Sequence, residues 1–264
     1  MRENNKNFLN FANNLADIAR TISLKYYKKK LKIINKKKVG YDPVTIADLE
    51  IQKKINKKIL STFPNHSIFG EEESFKKESD FEWCIDPIDG TKSFIQGVPL
   101  WGTLISLSKK EKIIIGIVDI PALDERYIGY KKNAYKVIKD QKFILKARNT
   151  RNLSEAILNT TSPYVFKNKN DQKSFEKLRK FVKTTRLGGD CYSYCLLADG
   201  FVDIVVESGL KPWDIRAIEP IIKNSGGKIV TWENKPIFNG GRIIASSNKK
   251  ILDRSMKILK KTQL

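Results

Sequence analysis

Histidine is nearly missing from this chain: His66 is the only one among 264 residues. A Ser–His–Asp triad would have to be built on that residue, which sits in a polar turn, Pro64-Asn65-His66-Ser67, and reads as a loop residue rather than a catalyst. Cysteine is scarce too. Cys84, Cys191 and Cys195 are too few for a disulfide framework, and no CxxC pair or neighbouring histidine completes a zinc site. Cys191 and Cys195, four positions apart, would share a helix face, and buried, reduced thiols are expected. No apolar run approaches the roughly 20 residues that span a bilayer. The first residues, Met1-Arg2-Glu3-Asn4-Asn5-Lys6, lack the charged-then-apolar layout of a secretory signal, so a cytoplasmic address is expected. A Walker GxxxxGKS/T loop, an internal repeat and a low-complexity linker are missing as well.

Positive charge, by contrast, is plentiful. Fifty lysines and arginines against 29 acidic residues give a net charge of +21. That balance raises the possibility of a non-catalytic polyanion binder. Its distribution argues against one, because lysines are scattered through nearly every segment, with small runs only at Lys28–Lys30 and Lys36–Lys38. No aromatic-studded basic stripe or nucleic-acid motif accompanies them, so a nucleic-acid partner is not expected. With 41% hydrophobic and 30% charged residues the chain can bury a sizeable core, as one large unit or two closely packed halves.

Periodicity outlines the elements. Phe8, Phe11, Leu15, Ile18, Ala19 and Ile22 recur at helical spacing and predict a first helix through about residue 30. Thr45 can cap a second helix to about Leu60, which Pro64 stops. Short β-type segments follow at Ser67–Gly70, Glu82–Asp86, Gly102–Ser108, Ile113–Asp119 and Arg126–Tyr130, with a hairpin around Lys109–Lys112. The polar stretch Lys146–Asn152 marks a seam. It divides a single catalytic unit into an N-terminal half, about residues 1–148, and a C-terminal half, about 149–264. Beyond it, strands at Ala156–Thr160, Thr184–Leu187, Phe201–Glu207 and Ile243–Ser246 alternate with helices at Gln172–Phe181, Cys191–Ala198, Trp213–Asn224 and the C-terminus. Layered mixed sheets with flanking helices are expected.

In a chain this basic, the acidic clusters carry the information. Glu71-Glu72-Glu73 follows the strand ending Ile68-Phe69-Gly70. Asp86-Pro87-Ile88-Asp89-Gly90-Thr91 follows Trp83-Cys84-Ile85, and Pro212-Trp213-Asp214 opens a downstream helix. Pro87 holds Asp86 extended, so two carboxylates three residues apart can converge on a hard, oxygen-loving cation such as magnesium. Gly90 permits close backbone approach, and the amides of Gly90 and Thr91 could cradle phosphate oxygens. Taken singly these are an Asp-rich turn, a solvated acidic loop and a helix cap.

Together and in this order they resemble the inositol-monophosphatase-like superfamily of metal-dependent phosphomonoesterases. Its Gly-Glu-Glu, Asp-Pro-x-Asp-Gly-Thr and Trp-Asp elements stand here as Gly70-Glu71-Glu72, Asp86–Thr91 and Trp213-Asp214, and Thr45-Ile46-Ala47-Asp48 is similar to its T-x-A/T-D segment. The likeness runs from roughly residue 8 to 260. It implies an α+β, layered αβαβα sandwich of the sugar-phosphatase type. It implies that Glu71, Asp86, Asp89 and Asp214 hold two or three Mg2+ ions, with the Ile88 carbonyl assisting. Glu71 and Thr91 would activate the attacking water, Asp48 would serve an outer metal position, and one of Lys36, Lys37 and Lys38 matches a family lysine. Homodimerisation follows from the resemblance alone.

Within the superfamily the stretches Asp86–Gly102, Pro121–Gly129, Arg186–Tyr194 and Glu207–Asp214 look most like the histidinol-phosphate phosphatase branch. Histidinol phosphate carries an ammonium and an imidazole, and Asp190 and Glu207 could pair with that cationic end. Asp190 also reads as a turn or helix cap after Gly188-Gly189, and in inositol-specific relatives the glutamate matching Glu207 holds a sugar hydroxyl. An inositol monophosphatase and a 3′(2′),5′-bisphosphate nucleotidase are the competing readings.

Overall fold

The computed structural model describes residues 5–36, 38, 41 and 43–261. The chain starts with helix α1 (Asn5–Tyr26), the short strands β1 (Ile33–Asn35) and β2 (Pro43–Thr45), and helix α2 (Ile46–Thr62). A seven-stranded sheet follows in simple spatial order: β3 (Ser67–Gly70), β4 (Phe81–Asp89), β5 (Gly102–Lys109), β6 (Lys112–Ile120), β7 (Glu125–Tyr130), β8 (Asn133–Ile138) and β9 (Gln141–Ile144). Only β3 and β4 run parallel; the rest form an antiparallel meander, with helix α3 (Thr91–Gln96) between β4 and β5. The remainder holds β10 (Ile157–Thr160), α4 (Lys169–Arg179), β11 (Thr184–Leu187), α5 (Asp190–Ala198), β12 (Ile204–Leu210), α6 (Pro212–Ile215), α7 (Ile218–Asn224), β13 (Lys228–Thr231), β14 (Gly241–Ser246) and α8 (Lys249–Lys261). Its mixed sheet has the order β11-β10-β12-β14-β13.

Strand alternation explains how these pieces stack. Ile105, Leu107, Ile115 and Ile117 face a core with Leu15, Ala19, Ile51 and Ile55 of α1 and α2. Leu104 and Val118 point to the opposite side, into a core shared with Cys195 and Leu197 of α5, Ile218 and Ile221 of α7, and Val205, Ile243 and Ala245 of the second sheet. Ile204, Val206 and Ile244 face a third core with Phe175 and Leu178 of α4 and Ile251 and Leu259 of α8. The result is helices, sheet, helices, sheet, helices: the αβαβα order expected. The two halves meet at backbone distance. Gly116 and Gly129 are cross-strand partners, and a Cβ on them would lie 2.0 Å from the Ala217 carbonyl oxygen and 2.4 Å from the Ile221 nitrogen.

Several boundaries differ from the sequence reading, each for a local reason. Helix α1 stops at Tyr26, because Lys28 takes a left-handed backbone (φ 59°) without a glycine to announce it. Strands β8 and β9 were not expected. Their turn is Lys139-Asp140, with φ of 46° and 64°, where Asn-Gly would be the usual signal. Strand β13 was likewise not anticipated. The single helix expected over Trp213–Asn224 is two, since Pro220 has no N–H to donate to the Arg216 carbonyl. His66 is in a loop but far from solvated: it is 4% exposed, its Nδ1 accepts the Trp83 indole N–H at 3.1 Å, and it stacks between Phe63 and Phe81. All three cysteines are free and buried, as expected.

Candidate active site

Asp86, Asp89 and Asp214 converge. Each offers a carboxylate oxygen, and the three oxygens all lie within 4.8 Å of one another. Asp86 and Asp89 end β4, where the strand leaves its register with β5 between these two residues. Asp214 arrives from the other half on α6, its Oδ2 accepting the Lys211 N–H at 2.6 Å. Asp89 Oδ2 accepts the Cys191 N–H at 2.7 Å, tying the cluster to the start of α5. Asp86 is 1% exposed, and its Oδ1 has no partner among the described residues. Burial, then the neighbouring negative charges, hold Asp86 and Asp89 well above the usual carboxylate range and push Asp214 up to about 7. Three carboxylates this close cannot all ionise without a cation between them. An orphaned buried oxygen and an all-oxygen donor set therefore fit a hard divalent metal such as Mg2+.

The other expected residues surround this cluster. Glu71 follows β3, and its charge is among those raising Asp86 and Asp214. The Lys36 Nζ donates to Glu71 Oε1 at 2.7 Å and to Glu72 Oε1 at 2.8 Å. Among the described lysines of the run, Lys36 and Lys38, Lys36 is the one bound to the acidic loop; Lys37 lies outside the described residues. Asp48 is buried and completes a capping box at the start of α2, its Oδ2 accepting from the Thr45 N–H (2.8 Å) and Oγ1 (2.6 Å). Burial outweighs those donors and pushes its carboxyl up to about 7. Ile88 has a buried side chain, and its carbonyl accepts the Thr91 hydroxyl at 3.0 Å. Gly90, with φ 79°, caps α3 in a left-handed turn.

Beside the cluster opens a cavity of about 330 Å³, lined by Asp89, Gly90, Thr91, Asp190, Glu207 and Asp214 among others. Asp190 is the first residue of α5 and accepts the Ser93 hydroxyl at 2.9 Å, while burial raises its carboxyl. Glu207 accepts the Thr161 N–H at 2.7 Å, and burial pushes it up to about 8. Sequence reasoning overlooked Tyr194, which lines the same cavity with a buried hydroxyl that no described residue satisfies. Its four-residue spacing from Asp190 on α5 was the available signal.

A family model described as "Inositol monophosphatase family" matches residues 4–264. The chain belongs to the inositol monophosphatase family. Its solved relatives include an inositol monophosphatase from Zymomonas mobilis, 33% identical, which superposes with a TM-score of 0.86 over 98% of this chain and 100% of that one. The bifunctional phosphatase IMPL2, chloroplastic, of Arabidopsis thaliana is 43% identical over 86% of this chain, a match that spans 65% of that protein's length. A histidinol-phosphatase of Chlorobaculum parvum is 29% identical over 91% of this chain and 92% of its own. The chain is a phosphatase of the inositol monophosphatase family, which is generally metal-dependent, and its three converging aspartates could hold a metal ion. Among the described residues no helix is long and apolar enough to cross a membrane.

Proposed function

We propose that this chain hydrolyses histidinol phosphate to histidinol and inorganic phosphate, using Mg2+ held by Glu71, Asp86, Asp89, Asp214 and the Ile88 carbonyl, with two or three ions per site. The observation that carries this reading is the pairing of two environments in one cavity. The acidic cluster stands at one side of the cavity, and two further carboxylates, half-buried Asp190 and buried Glu207, line the same cavity and would face the leaving group. A second pair of acids with raised carboxyls is poorly suited to an uncharged polyol and well suited to a cationic alcohol, whose ammonium and imidazole would restore their ionised forms. Relatives named as histidinol-phosphatases support the same choice.

When bound, Mg2+ lowers the pKa of water, neutralises phosphate charge and stabilises the leaving oxygen. The chain's own groups supply the rest. The amides of Gly90 and Thr91 open the first turn of α3, where N–H groups lack intrahelical acceptors, and can hold phosphate oxygens. Thr91 spends its proton on the Ile88 carbonyl and keeps its lone pairs free to accept from the attacking water. Glu71, held by Lys36, would take that water's proton. Asp48 would serve an outer metal position. Attack is direct and in line, because no histidine, activated serine or thiolate stands in these motifs. The working form is a homodimer, on family resemblance.

The deciding experiment is phosphate release from histidinol phosphate, inositol 1-phosphate, 3′-phosphoadenosine phosphate and glycerol 2-phosphate at equal concentration, each with Mg2+ or EDTA. A strong Mg2+-dependent preference for histidinol phosphate is expected. Preference for inositol 1-phosphate or the nucleotide would overturn the substrate and keep the metal chemistry.

A further inference from the structure

Asp214 comes from the opposite half of the chain to Asp86 and Asp89, so the cluster depends on how α6 is docked against β4. Strand alternation places Glu82, Cys84 and Asp86 on one face of β4, while Trp83 and Ile85 enter the α1–α2 core on the other. The α6 segment meets that face at two points. Asp214 meets Asp86. Two residues on, Arg216 Nη1 donates to Glu82 Oε1 at 2.6 Å. Arg216 is 5% exposed and fully engaged: its Nε donates to the Phe238 carbonyl at 2.9 Å, and its guanidinium lies 3.6 Å from the Phe238 ring centroid and 5.3 Å from that of Phe69. Phe69 stands opposite Cys84 in the β3–β4 register and packs on Trp213, 5.5 Å between centroids. A buried guanidinium is costly unless paired, and here its partner acid belongs to the other half. A planar fork that bonds a carboxylate while stacking between rings fixes direction as well as distance, which a lysine would not.

We propose that Arg216 is a positioning residue: its bridge to Glu82 holds Asp214 opposite Asp86 and so sets the spacing of a divalent-cation site assembled from both halves. The inference rests on the metal reading above. Arg216 touches neither substrate nor ion; it acts through the placement of Asp214.

The test is calorimetric titration of Mg2+ into the full chain, alongside thermal unfolding, for the wild type, Arg216→Met, Glu82→Gln and Lys136→Met. The last removes a different ion pair between the halves, Lys136 to Asp199 at 2.5 Å, away from the cluster. Arg216→Met is expected to weaken Mg2+ binding about tenfold and Glu82→Gln by a smaller factor in the same direction, as for groups that orient metal ligands. Lys136→Met is expected to lower the unfolding temperature and leave Mg2+ affinity unchanged. Unchanged affinity in folded Arg216→Met would overturn the proposal, and if that variant does not fold, Glu82→Gln decides in its place. Equal weakening in Lys136→Met would also overturn it, by making the effect one of general stability. A wild type that binds no Mg2+ would overturn the metal reading, and this inference with it.

Discussion

Lys36 and Glu71, 35 positions apart in sequence, form an ion pair of 2.7 Å at the edge of the acidic cluster. The two carboxylates beside it raise the lysine well above its usual value despite its burial, so it stays charged at any working pH. Lys36→Met is therefore expected to release Glu71 and to lower kcat/KM about tenfold, a loss of about 1.4 kcal/mol of transition-state stabilisation. Steady-state kinetics at saturating Mg2+ measures it; an unchanged kcat/KM removes the lysine from the site.

Asp89→Asn separates chemistry from stability. It deletes one charge from a crowded cluster while an amide oxygen can still accept the Cys191 N–H. Turnover is expected to fall by about 100-fold or more. The metal-free protein should melt at the same temperature or higher, because a like-charge repulsion is gone. Near-normal turnover would take Asp89 out of the ligand set.

The metal-free protein should respond to pH in an unusual direction. Asp214 and Asp48 are pushed up to about 7 and Glu207 to about 8, all above their unfolded values. Groups raised in the folded state bind protons there that the unfolded chain has lost. Their contribution is fully present below the unfolded value near 4 and is lost as pH rises through 7 to 8. In EDTA the unfolding temperature should be higher at pH 5.5 than at pH 7.5 by a few degrees, at about 2–4 °C per kcal/mol for a chain of this size. Millimolar Mg2+, which competes with protons for the same oxygens, should cancel or reverse the trend. Calorimetric scans at the two pH values decide it, and a melting temperature that rises with pH in EDTA contradicts the assignment.

Asp190→Asn bears on the leaving group. It should raise KM for histidinol phosphate by about tenfold, the scale of one charge-assisted hydrogen bond, and change KM for glycerol 2-phosphate far less. Equal effects on both esters would show that Asp190 serves only the turn it starts.

Much of this architecture was legible beforehand, for identifiable reasons. Thr45 and Asp48 cap α2 through contacts within four residues, and such local chemistry is readable from sequence. The apolar alternation of β5 and β6 announced strands whose two faces sit in different cores. Asp86 and Asp89 could be named from the Asp-Pro-x-Asp-Gly turn, which is itself local, while Asp214 was reached only through the resemblance carried by Trp213-Asp214. Long-range pairings were not legible. Nothing in three consecutive lysines says that Lys36 reaches Glu71, and nothing in Trp213-Asp214-Ile215-Arg216 says that the arginine meets Glu82 some 134 positions earlier. His66 is the loop residue its polar turn suggested, but its burial was not legible, because it comes from Phe63, Phe81 and Trp83 gathered around it in space.

The glycine pair Gly116 and Gly129 has a mechanical consequence. With no side chain between them and α7, the seven-stranded sheet and the C-terminal half are in backbone contact, and rotation of one against the other would pull that contact apart. Any side chain at either glycine would push α7 off the sheet. The two sheets and the helices between them thus serve as a fixed frame for the carboxylates that each contributes to the cluster.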